Sequence, residues 1–82
     1  MRLKQWDLVE IEWRDSTSYD GWMSEPASKS LAEDEDCLCR TAGYMLHRDK
    51  RHMTIVRDRG DDNVGGMMRI PTVAIKSIRK LI

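Results

Sequence analysis

Phenylalanine is absent from this chain of 82 residues, and proline and cysteine occur only twice each. Three tryptophans and two tyrosines are therefore the only large aromatic side chains available for a core. No apolar run approaches the roughly 18 residues that a membrane-spanning helix requires. The first 13 residues, MRLKQWDLVEIEW, have a charged residue every few positions and lack the apolar centre of a signal peptide. These absences predict a cytoplasmic protein without a membrane partner.

The two cysteines, in the stretch CLCRTAGYM (residues 37–45), are two positions apart. In a strand, Cys37 and Cys39 point to the same face about 7 Å apart, which is unfavourable for a disulfide. A zinc site needs four ligands, and His47 and His52 are the only other soft ones, at a spacing that matches no common zinc pattern. We therefore predict packed strand cysteines, with no metal and no cofactor.

No phosphate-binding loop and no GxGxxG motif occurs, so the sequence gives no reason to expect an enzyme. The net charge is zero, with 14 basic and 14 acidic residues, but the charge is unevenly distributed. Acidic residues dominate positions 1–36, and basic residues dominate positions 37–82. This asymmetry is compatible with a basic surface for an anionic partner, or with two halves that pair across a sheet or between subunits.

Alternation of apolar and polar residues predicts most of the strands. The segment WDLVEIEWRD (residues 6–15) alternates with a period of two, as do CLCRTAGYMLH (37–47) and HMTIVRD (52–58), which form a hairpin. GGMMRIP (65–71) is a further strand that ends at proline. Residues 15–22 are predicted to form a loop. Ser24 is a candidate cap for a short helix or an irregular connection that follows.

The last eleven residues, TVAIKSIRKLI, fit either an amphipathic helix or a turn followed by a strand, and we favour the second. The order of elements predicts a mainly β protein formed by one domain over residues 1–82. The expected architecture is a small SH3-like or Sm-like antiparallel barrel of about five strands. A short helical or irregular insertion follows its first strand.

Aromatic and arginine side chains form the candidate binding site. A ring beside a guanidinium group can stack on a base while the cation binds its phosphate. On the second strand, Arg40 and Tyr44 are expected to face away from the core, about 13 Å apart on either side of the small Ala42. We predict Trp22, Arg40, Tyr44 and Arg69 as ligand-binding residues, whereas Trp13 is expected in the core.

Several short motifs follow one another along the chain. They are WRD (13–15), GW (21–22), CRTAGY (39–44), VGG (64–66) and RIP (69–71), followed by Ile75, Ile78 and Leu81. With this pattern the chain resembles, over residues 9–81, a group of small phage-encoded proteins, most of them uncharacterised. The resemblance implies a phage protein acting in the host cytoplasm. Some phage proteins of this size are sponges that sequester cyclic oligonucleotide signals and so blunt host defence of the CBASS type.

The sequence therefore predicts a non-enzymatic binding protein that sequesters an anionic nucleotide, in particular a cyclic oligonucleotide. Two alternatives remain open: a structural or protein-interaction module of phage assembly, and an Sm-like protein that binds nucleic acid. Because a chain of this length has a thin core, we also expect a homo-oligomer.

Overall fold

The described part of the chain forms a five-stranded antiparallel sheet with one α-helix. The computed structural model describes residues 2–15, 21–33 and 37–82. The elements in chain order are β1 (Leu8–Asp15), α1 (Glu25–Glu33), β2 (Cys37–Arg48), β3 (His52–Arg59), β4 (Val64–Pro71), a 3-10 turn (Thr72–Ala74) and β5 (Ile75–Lys80). The predictions of a mainly β chain and of a final strand preceded by a turn are confirmed, and the insertion after the first strand, expected to be helical or irregular, contains a short helix. Of the loop predicted at residues 15–22, residues 16–20 lie outside the described residues.

The strands are ordered β4-β3-β2-β1-β5, and every neighbouring pair is antiparallel. β1 pairs with β2 along its whole length, from Leu8 opposite Tyr44 to Asp15 opposite Cys37. The β2–β3 connection is fixed by Asp49, whose carboxylate accepts hydrogen bonds of 2.8 Å from the backbone N–H groups of both Arg51 and His52. The expected hairpin is therefore present.

One face of the sheet carries the hydrophobic core. Its buried cluster consists of Val9, Ile11, Met45, Met53, Ile55 and Ile70, and Leu3, Trp13, Ile75 and Ile78 pack against it. Val9, Ile11 and Trp13 alternate with glutamates on β1, so the period of two seen in the sequence corresponds to this face. The prediction that Trp13 contributes to the core is confirmed.

The expected closed barrel is wrong, because the sheet is open. β4 and β5 are its two edges, and they are not paired with each other within the described ranges. In a flat sheet these edges would lie about 19 Å apart. The link from Pro71 to Ile75 spans at most about 14 Å, so the sheet must curl at this corner. Pro71 has no N–H to donate, and the 3-10 turn interrupts the strand conformation where closure would begin.

The helix is not part of the packed core. None of its residues is buried. It starts after Ser24, whose Oγ accepts a hydrogen bond of 3.3 Å from the N–H of Ala27, as the sequence predicted for a capping serine. The radius of gyration is 16.2 Å, whereas a compact chain of this length would have about 12 Å. The hydrophobic core is therefore formed by the sheet, and α1 extends the molecule without contributing buried residues to that core.

Candidate functional site

The face of the sheet opposite the core, which we call the outer face, carries the candidate site. On β2, Thr41 and Met45 face the core side, and the Thr41 Oγ1 accepts a hydrogen bond of 2.9 Å from the indole Nε1 of Trp13. Arg40, Ala42 and Tyr44 alternate with these residues and so lie on the outer face. Ala42 is exposed and Tyr44 is half-buried. The structure thus brings Arg40 and Tyr44 to the same face, as expected.

Arg40 lines a shallow charged depression on β1, β2 and β5. The depression has a volume of about 260 Å³ and is lined by Glu10, Glu12, Arg40, Ser77 and Arg79. Strand register explains this grouping, because Glu12 lies opposite Arg40 on one side and opposite Ser77 on the other. Glu10 lies opposite Arg79 in the same way. The curled sheet brings three strands together here without any contribution from a loop.

Three ion pairs organise the depression. The Arg40 Nε lies 3.6 Å from a carboxylate oxygen of Glu12, and the Lys76 Nζ lies 3.6 Å from the other oxygen of the same carboxylate. An Arg79 guanidinium nitrogen donates a hydrogen bond of 3.2 Å to Glu10. Each guanidinium group has five N–H donors, so these contacts leave donors available for a further acceptor.

The cations of these pairs are more exposed than the carboxylates. The side chains of Glu12 and Glu10 are 22% and 31% exposed, whereas those of Arg40 and Arg79 are 72% and 69% exposed. Lys76 is 51% exposed. The carboxylates therefore form the floor of the depression and the positive groups form its outer layer. An anion that approaches from solvent meets the cations first.

Tyr44 belongs to a different, apolar part of the outer face. It lies in register with Leu8 on β1 and with Val56 on β3, and Val56 is in turn opposite Met67 on β4. Val56 is completely buried although it is not on the core face. Tyr44 therefore lies at the border of this apolar row. The exposed Ala42 separates Tyr44 from the charged depression.

Arg69 does not join Arg40. It is opposite Thr54 on β3, and Thr54 is opposite His47 on β2, seven positions from Arg40. Strand geometry then separates Arg69 and Arg40 by roughly 20 Å or more. A guanidinium nitrogen of Arg69 instead lies 3.2 Å from the Nδ1 of His52. One nucleotide cannot reach both arginines.

Trp22 lies apart from the depression as well. It follows Gly21, whose φ is +93°, and precedes α1. Its side chain is fully exposed, at 104% of the reference area. It is not among the residues that line the depression in the described part of the chain. Its predicted role as a ligand-binding residue stays a prediction.

The sequence interpretation missed Glu10, Glu12, Ser77, Lys76 and Arg79. The two glutamates alternate with Val9 and Ile11, so their shared position on the outer face was available from the period of two. The pairing of β5 with β1 could not be predicted from the sequence, because strand order depends on contacts between residues distant in the chain. The predicted aromatic–arginine pairs also omitted the contact that the structure shows, in which the Arg59 Cζ lies 4.0 Å from the ring centroid of Trp6.

Cys39 is half-buried and lies opposite Trp13, on the core side of β2. At Cys37 the structure describes the backbone alone, so the expectation for that side chain stays a prediction. In residues 2–15, 21–33 and 37–82, no group of three histidine, cysteine, aspartate or glutamate side chains is arranged to hold a metal ion. No helix in the same residues is both long enough and apolar enough to cross a membrane.

Comparison with protein-family models, with curated proteins and with solved structures gives no match.

Proposed function

We propose that the protein is a non-enzymatic binding protein that captures an anionic nucleotide on the outer face of its sheet. The phosphate groups of the nucleotide contact Arg40, Arg79 and Lys76, and the base of the nucleotide stacks against Tyr44. The observation that carries this proposal is the exposure of the three cations above the two carboxylates that hold them. Such an arrangement positions the positive groups before the ligand arrives.

The energetics of the depression favour exchange of partners. Exposed ion pairs typically contribute about 0–1 kcal/mol each, so reorienting a guanidinium group toward a phosphate costs little. The pairing of a guanidinium group with a phosphate is charge-assisted and can be bidentate. Stacking of a base on an aromatic ring adds about 1–3 kcal/mol. Arg40 and Tyr44, about 13 Å apart along β2, are at a distance that one nucleotide unit can span with the reach of the arginine side chain.

The phage resemblance makes cyclic oligonucleotides the first ligands to test. A cyclic dinucleotide carries two phosphates and two bases, so it presents both chemical groups that this face can recognise. In this proposal the protein acts as a sponge that lowers the free concentration of the signal and cleaves no bond.

The test is a calorimetric titration of cyclic di- and trinucleotides into the parent protein and two variants. Arg40→Ala should weaken binding more at low salt than at high salt, because an exposed charge contact is screened. Tyr44→Ala should weaken binding with little salt dependence, because stacking is not screened. Arg51→Ala, which removes an exposed cation from the β2–β3 turn, is the matched control and should bind like the parent.

Two outcomes contradict the proposal. Binding unchanged in folded Arg40→Ala and Tyr44→Ala variants would place the ligand elsewhere. A complete lack of binding would favour a structural or protein-interaction module of phage assembly, for which the exposed apolar residues of β4 give a specific reason. A parallel titration with mixed-sequence RNA tests the Sm-like alternative, which predicts binding of RNA without binding of cyclic nucleotides.

A further inference from the structure

The two edges of the open sheet differ in their chemistry. β5 carries three cations in six residues, Lys76, Arg79 and Lys80. Charged side chains, lysine above all, are a common device that keeps an edge strand from pairing with another chain. β4 has the sequence VGGMMRIP, with a single charged residue in eight. The β5 edge is therefore protected against strand addition, and the β4 edge is not.

β4 keeps one register with β3 on both sides of Gly66, from Arg59 opposite Val64 to His52 opposite Pro71. Gly66, at a φ of +66°, interrupts this ladder, so residues 67–71 form the regular stretch that can accept a further strand. On the other side of β4 no strand of the described ranges is paired with it, so half of its backbone N–H and C=O groups point outward. Val64, Met67 and Met68 on this strand are exposed large apolar residues, at 42%, 61% and 39%. An added strand would cover them and satisfy the backbone groups.

Charge favours a second copy of this chain in an antiparallel orientation. Asp61 and Asp62 precede β4, whereas Arg69 lies near its other end. Antiparallel pairing of two β4 edges brings the end of the strand that follows Asp61 and Asp62 in each copy toward the end that carries Arg69 in the other, and it does so twice because of the twofold symmetry. Parallel pairing would bring like charges together. The chain carries no net charge, so there is no overall repulsion against self-association.

We propose that two copies of the protein associate by antiparallel pairing of their β4 edges, which forms one continuous sheet of ten strands. The charged depression lies on β2, β1 and β5, and β3 separates these three strands from the β4 edge. The pairing therefore leaves the depression uncovered. This inference stands independently of the proposed nucleotide site.

The test combines sedimentation with a variant of the edge and a matched control. The parent protein should sediment as a dimer at micromolar concentration. Met67→Lys places a charge on each β4 edge and should raise the dimer dissociation constant at least about tenfold. Val73→Lys makes the same kind of change at a side chain that is 97% exposed but lies in the 3-10 turn, and it should dimerise like the parent.

Hydrogen exchange of the unmodified protein provides a second readout that does not depend on how a variant folds. Amides within residues 64–70 should become more protected as the protein concentration rises, whereas those of β5 should not. A monomer of 9.6 kDa throughout the micromolar range would overturn the proposal. So would a dimer that Met67→Lys leaves intact, or concentration-dependent protection confined to β5.

Discussion

At the scale of single residues, the three tryptophans occupy three different environments. Trp13 packs against the core, and its position follows from alternation with Val9 and Ile11, which the sequence makes visible. Trp22 is fully exposed. Trp6 has a φ of +74°, the one positive value among the non-glycine residues of the described ranges.

The conformation of Trp6 illustrates what sequence patterns omit. Its N–H donates a hydrogen bond of 2.7 Å to the carbonyl of Met45 on β2, and the turn around it is closed by a bond of 3.1 Å from the N–H of Asp7 to the carbonyl of Lys4. A positive φ is unfavourable for a bulky residue and persists only when the surroundings determine it. Because the partner strand lies almost 40 positions later in the chain, no local signal identifies this turn.

A substitution at Gly43 tests the closeness of β2 and β3. A Cβ atom at this position would lie 2.7 Å from the carbonyl oxygen of Val56, which is backbone and cannot turn aside. Gly43→Ala should therefore force the two strands apart and lower the free energy of unfolding by about 1–3 kcal/mol. Urea unfolding followed by tryptophan fluorescence measures this change.

Gly65→Ala is the control for that experiment. A Cβ atom there would meet its nearest neighbours at 3.6 Å, an ordinary contact distance. Because alanine also restricts the unfolded chain, this variant should be neutral or more stable than the parent by up to about 1 kcal/mol. Equal destabilisation of both variants would show that the loss arises from strand flexibility and not from the approach of β2 to β3.

At the scale of elements, the strands were predictable, the helix was one of two alternatives that the sequence allowed, and the arrangement of the strands was only partly predictable. Alternation identified β1, β2 and β3, and the turn residues between β3 and β4 separated those two strands. The same alternation placed Arg40 and Tyr44 on one face, opposite Thr41. Whether the sheet closes into a barrel, and which strand pairs with β5, depend on contacts between residues distant in sequence. For this reason Glu10, Glu12 and Arg79, which complete the charged depression, were not identified.

The turn between β2 and β3 predicts a specific pH dependence. Hydrogen bonds from the backbone N–H groups of His52 and Arg51, helped by the nearby His47, hold the pKa of Asp49 below its usual value. A carboxyl group whose pKa is lower in the folded state stabilises the protein above its unfolded pKa of about 3.9. This contribution is lost as the pH falls through the lowered folded value.

Asp49→Asn removes the titrating group and keeps an oxygen that can accept the backbone bonds. The variant should be less stable than the parent at pH 7, and the difference should shrink as the pH falls below about 4. Urea midpoints measured between pH 7 and pH 2 provide the comparison. Asp7→Asn is a parallel variant, since the backbone N–H of Lys4 and the charge of Lys80 also lower the pKa of Asp7. A constant difference between Asp49→Asn and the parent across this range would contradict the assignment.

At the scale of the whole molecule, most of the buried apolar residues of the described ranges lie on one face of one sheet, and Val56 is the exception. They belong to β1 to β4, and β5 contributes the half-buried Ile75 and Ile78. A domain of this length is expected to have about 4–12 kcal/mol of stability in total. The helix, without a buried residue, adds little to this total. The ion pair of 3.8 Å between Lys29 and Glu25 lies within the helix.

This distribution predicts that α1 opens without unfolding of the sheet. The helix has nine residues, and isolated helices shorter than about 12–15 residues are marginal in water. In native-state hydrogen exchange, amides within Glu25–Glu33 should exchange with little protection, while those at the centre of β2 and β3 should exchange only through global unfolding. Ser24→Ala, which removes the capping oxygen, should speed exchange in the helix and leave the β2 amides unchanged, because the two regions do not share a core. Protection of the helix equal to that of β2, in the dilute protein, would show that α1 packs against the sheet.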